Sequence, residues 1–138
     1  MATPTAFAFK GYRFTNVELN MGAFDNGVPL NLTFFPSGIY NKAERKFYLK
    51  FVFSATQNED NKQIVKVFCD AEFEFKDSLD FDEIPDYFYP NSLAIVFPYV
   101  RSFVSAVTLL ANIPTPILIP TLNLTALKDE LKASTQNN

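Results

Sequence analysis

Histidine and tryptophan are absent from this chain of 138 residues, and cysteine occurs once, at Cys69. With no imidazole and no second thiol there is no Cys–His pair, zinc cluster or internal disulfide, which removes most familiar hydrolytic and redox sites. Four glycines are too few to shape a loop that cradles phosphate, so nucleotide-driven chemistry is not expected. The chain is expected to be no enzyme and to need no cofactor or metal. Positive charge is also scarce: 12 Lys and Arg stand against 15 Asp and Glu, for a net charge of −3 and a pI near 4.9. A phosphate-backbone partner needs a basic face, so no nucleic acid is expected. Lys42, Arg45, Lys46 and Lys50 form the densest basic group, but Glu44 interrupts it, and it reads as a solvated hairpin end. Met1 to Lys10 shows neither a basic opening nor a long apolar run. The expectation is therefore no secretory signal, a reducing cytoplasmic setting for Cys69, and no glycan on the Asn-Leu-Thr triplets at Asn31 and Asn123.

Aromatic rings are abundant, with 16 Phe and 6 Tyr. Hydrophobic residues make up 48%, charged residues 20%, and mean hydropathy is +0.01, values of an ordinary folded chain of single-domain length. Four stretches alternate with period two: Val17, Leu19 and Met21; Leu30, Leu32 and Phe34; Phe47, Leu49, Phe51 and Phe53; and Val65, Val67, Cys69, Ala71, Phe73 and Phe75. Their connections, 22–29, 41–45 and 58–62, are short and rich in Asn, Asp and Gly, which predicts a four-stranded antiparallel meander within residues 6–76. At Pro90 the period changes, and a long helix is expected over 90–112. One apolar stripe holds Leu93, Phe97, Val100, Val104 and Val107, and a second holds Val96, Tyr99, Phe103 and Leu110. Arg101, Ser105, Thr108 and Asn112 form a narrow polar strip. Two apolar stripes need cover on two sides, the sheet on one and a second copy of the chain on the other. An apolar, Pro-rich loop follows over 113–124, then a short helix capped by Thr125 over 125–133, with Leu127 and Leu131 on one face, and a frayed tail over 134–138.

Two constellations carry no chemistry on this reading. Asp77, Asp80, Asp82, Glu83 and Asp86 lack the glycine and the downstream bidentate Glu of a calcium loop, so they read as a solvated connection. Cys69 falls on the inward side of its strand and reads as packing. Residues 93–111 are nearly long enough to cross a bilayer, but Arg101 at their centre and Pro98 favour a buried helix over membrane insertion. Tyr87, Phe88 and Tyr89, with the apolar loop, leave more greasy surface than one small domain covers, which points to a groove for extended apolar polypeptide. The alternative is a small-molecule cavity with Tyr99 and Arg101 as polar anchors.

The second half of the chain resembles the bacterial protein-export chaperone SecB. The resemblance rests on Tyr89-Pro90-Asn91-Ser92-Leu93, Phe97-Pro98-Tyr99-Val100-Arg101, the Pro-bounded run Ile113 to Pro120, and Asn123-Leu124-Thr125-Ala126-Leu127. It implies an α+β fold, a homotetramer built as a dimer of dimers, and a cytoplasmic holdase that grips unfolded clients without ATP and passes them to the motor SecA. Carried over residue by residue, it implies Ile117, Leu118, Ile119, Leu122 and Leu127 as client contacts, with Tyr87 and Phe88 added. It also places Val100, Phe103, Val104 and Val107 at subunit interfaces. Asp70 and Glu72 mark the outer sheet face where the motor would dock. Matching first-strand positions are Asn16 and Asn20, which lack the carboxylates that would attract a basic partner. The alternative within the resemblance is a SecB-like relative devoted to a few clients, such as a chaperone of an antitoxin.

Overall fold

The computed structural model describes residues 6–58, 60–112, 117–119 and 124–138. Five strands, β1 (Phe7–Leu19), β2 (Asn31–Asn41), β3 (Lys46–Gln57), β4 (Lys62–Phe75) and β5 (Gln136–Asn137), form one sheet, with helices α1 (Phe88–Leu110) and α2 (Leu124–Ser134). The α+β class is as expected. The strand order is β1-β4-β3-β2-β5. Only β2, β3 and β4 follow as a meander; β1 pairs antiparallel with β4 rather than with its chain neighbour β2, which is Greek-key connectivity.

The first strand is longer than the alternation beginning at Val17 foretold. Its pairing with β4 slips between Phe9 and Gly11 and again between Phe14 and Asn16. Each slip adds one residue, Lys10 and Thr15, and so restores the inward phase. Phe7, Phe9, Tyr12, Phe14, Val17 and Leu19 therefore all lie opposite the buried row Phe75, Phe73, Ala71, Cys69, Val67 and Val65 of β4. Gly11 has φ 150°, a setting in which a side chain would be strained.

The core lies between this inward face and α1. Phe88 is fully buried, with Phe7, Phe47, Phe73 and Phe75 around it at ring-centroid distances of 5.0, 4.8, 5.5 and 4.9 Å. α1 begins at Phe88, two residues ahead of the expected start at Pro90. Proline is tolerated there because a helix's first N–H groups have no intrahelical acceptor. Pro98 is exposed within the helix. α2 lies against β2 and α1 and buries Leu131 completely.

The tail is ordered, in contrast to the frayed end expected. Gln136 and Asn137 pair in parallel with Ile39 and Tyr40. The Thr135 hydroxyl donates to Leu131 O at 2.6 Å, the Ser134 hydroxyl to Pro36 O at 3.1 Å, and Asn138 N to Tyr40 O at 2.8 Å. β2 admits this approach at Gly38, where a Cβ would collide with the Phe47 ring and the Thr135 hydroxyl.

Candidate functional site

Along the β1 flank of α1, aromatic rings form a half-exposed band. Tyr12 and Tyr99 stack at 4.2 Å with Phe9 beside them, and Phe14 stacks on Phe103 at 3.9 Å. Tyr12 keeps 44% of its surface exposed and Tyr99 39%, while Val17 and Leu19 continue the exposed row along the strand. At the far end of α1, Leu109 and Leu110 are exposed, and nearby in sequence Leu118 is 74% exposed. The β1 residues of this band were missed by the sequence reading. Their signal was there: apolar positions at 7, 9, 12, 14, 17 and 19 show two phase slips, which period-two counting discards.

The residues expected to contact clients divide. Tyr87 and Leu118 are exposed and Leu127 is partly so. Ile117 and Ile119 are buried within the chain, and Leu122 lies outside the described residues. Phe88, expected on the groove, is instead the centre of the aromatic core, because the helix starts early enough to turn it onto the sheet. The interface set divides as well: Val100 and Val104 are fully buried under the sheet, whereas Phe103 and Val107 are partly exposed. The exposed face of α1 runs through Ala94, Pro98, Tyr99, Ser102, Ala106 and Leu109.

Thr108, read as part of a polar strip, is fully buried and has a structural task. Its hydroxyl donates to Val104 O at 2.9 Å and accepts from Ile117 N at 3.0 Å. This ties residues 117–119 to α1, with Ile117 and Ile119 turned in and Leu118 turned out. The geometry presents one leucine to solvent on an anchored segment.

Of the anchors of the small-molecule alternative, Tyr99 is stacked on Tyr12 and Arg101 is exposed. A cavity of about 720 Å3 lies instead on the outer face of the sheet, lined by residues that include Lys10, Arg13, Lys50, Asp70 and Glu72. Glu72 is paired with Lys46 at 3.4 Å and Glu74 with Arg45 at 3.5 Å. The expected acidic docking face is thus a mixed one. Asp80 pairs with Lys42, whose hydrogen bond holds the Asp80 carboxyl below its ordinary range. Lys132 does the same to Asp86 from 2.7 Å. Asp80 and Asp86 of the acidic connection are therefore engaged with lysines, and the described residues contain no cluster suited to a metal ion. Burial, with a smaller contribution from neighbouring Asp70, pushes the Cys69 thiol up to about 11, so it is protonated at neutral pH and inert.

No family model matches the sequence. An uncharacterized protein of Methanocaldococcus jannaschii is 26% identical over 139 residues, which span 96% of this chain and 89% of that protein. Among solved structures, the Mycobacterium tuberculosis SecB-like chaperone Rv1957, in complex with a peptide from the HigA1 antitoxin, matches with a TM-score of 0.65. The match covers 85% of this chain and 90% of that one at 18% identity. A protein of unknown function from Streptococcus agalactiae matches with a TM-score of 0.47 at 12% identity, over 86% of this chain and all of that one. One sheet of five strands with two helices is thus a SecB-like fold.

Proposed function

We propose that this protein is a holdase: it binds unfolded polypeptide without ATP, through the apolar band beside α1 and the leucine presented at 118, and performs no chemistry on it. The observation that carries this reading is the exposure of Tyr12, Val17, Leu19, Tyr99, Leu109, Leu110 and Leu118 in one small domain. Exposed apolar surface on this scale marks an interaction site, and low-specificity side-chain contacts suit a non-native chain. The SecB-like fold supports the same reading, because the M. tuberculosis neighbour of that fold was solved with an antitoxin peptide bound.

Within this proposal the working form is a cytoplasmic homotetramer, and service to a few clients is favoured over general export. An export motor such as SecA would dock on the outer face. There Glu72 is already paired with Lys46, Arg13 and Lys50 flank Asp70 across the strands, and Lys10 lines the same cavity, so attraction for a basic partner is weak.

The absence of tryptophan supplies the test. A tryptophan-containing polypeptide is diluted from denaturant into increasing amounts of this protein without ATP while its fluorescence reports refolding. Refolding slowed in proportion to added protein, with no binding of the same polypeptide once folded, is the expected result. Unchanged refolding in the presence of folded protein refutes the proposal.

A further inference from the structure

On the sheet face opposite α1, pairing aligns Arg13, Asp70, Lys50 and Ser37 across β1, β4, β3 and β2. This row belongs to the lining of the 720 Å3 cavity, and the β1 bulge residue Lys10 contributes as well. The local charge balance is unusual for an acidic protein. Lys42, Lys46, Arg45 and Lys132 each meet a carboxylate. Lys10, Arg13 and Lys50 are exposed and enter no ion pair among the described residues. Against these three cations the cavity sets Glu72, already neutralised by Lys46, and Asp70. Asp70 has one carboxylate oxygen buried without a hydrogen-bond partner.

We infer that this cavity binds an acidic peptide segment, in addition to the client surface on the other side of the sheet. Three unpaired cations in a concave site favour carboxylates. An extended peptide can set carboxylates on Lys10 and Arg13 of β1 and on Lys50 of β3 at once. A compact anion meets these cations singly and adds repulsion against Asp70. The volume lies within the range of sites that enclose a ligand of several residues' side chains or a drug-sized molecule.

The test is an NMR titration of the 15N-labelled protein with three probes: acetyl-Glu-Ser-Glu-Ser-Glu-amide, its lysine counterpart, and inorganic phosphate. The glutamate peptide is expected to shift the amides of Gly11, Gly38 and Lys50, and to release them as salt is raised to about 0.5 M, where charges are screened within a few ångströms. The variant Lys10→Glu, Lys50→Glu is expected to bind that peptide at least tenfold more weakly while keeping the dispersed amide spectrum of the folded protein. The milder Lys10→Gln, Lys50→Gln pair falls between. Equal binding of the lysine peptide, glutamate-peptide shifts confined to α1, or phosphate saturating the same amides as tightly as the peptide would each overturn the inference.

Discussion

Gln57 ends β3 with its side chain wholly buried, and its amide works for the backbone of another segment. Its Oε1 accepts from Asp25 N at 2.9 Å, and its Nε2 donates to Asp25 O at 3.0 Å and Val28 O at 2.9 Å. Those groups belong to the connection that carries the chain from β1, at one edge of the sheet, across to β2. A leucine of similar size would leave Asp25 N and Val28 O without partners and Asp25 O with Val28 N alone, each lost bond being worth about 1 kcal/mol. Gln57→Leu is expected to lower unfolding free energy by about 2–3 kcal/mol in urea titrations, and an unchanged midpoint would show that water replaces the amide. Nothing in the sequence marks Gln57, a polar residue at a strand end like many others. The Cys69 packing role was readable, because alternation along β4 places it inward with Val67 and Ala71.

Residues 117–119 and α1 behave as a single element because Thr108 joins them. Thr108→Val preserves shape but removes the acceptor for Ile117 N, so hydrogen exchange at Ile117 and Leu118 is expected to accelerate about tenfold while global stability changes little. Burial separates two substitutions that the sequence treats alike. Leu118→Asp places a charge on a residue already in solvent; the protein should fold normally, and its affinity for unfolded clients should fall about tenfold, the value of one leucine contact. Ile119→Asp puts the charge at a site 1% exposed and is expected to reduce stability itself. Thermal unfolding beside the client assay distinguishes the two. Unchanged client binding by a folded Leu118→Asp variant would remove Leu118 from the contact surface.

For the whole molecule, Phe103 and Val107, the partly exposed members of the expected interface set, offer a second copy of the chain an apolar face on α1. Assembly into the proposed tetramer would be seen by sedimentation as a species four times 15.6 kDa, and Val107→Asp, at a partly exposed position of the expected interface, should shift it to smaller species; a concentration-independent monomer would refute the assembly. The amino-acid order by itself determined the α+β class, three of the four long strands, and both helices to within a few residues. Those features depend on local periodicity and on residue types, which a linear reading retains. The tertiary structure alone decided that β1 joins β4, that the tail closes on β2 beside Gly38, that Phe88, Val100 and Val104 belong to the core, and that Lys10, Arg13 and Lys50 line one cavity with Asp70. Each of these depends on strand register or on contacts between residues far apart in the chain. Two added residues, Lys10 and Thr15, turn the whole of β1 onto the apolar face, and no window of neighbouring residues records what lies opposite them.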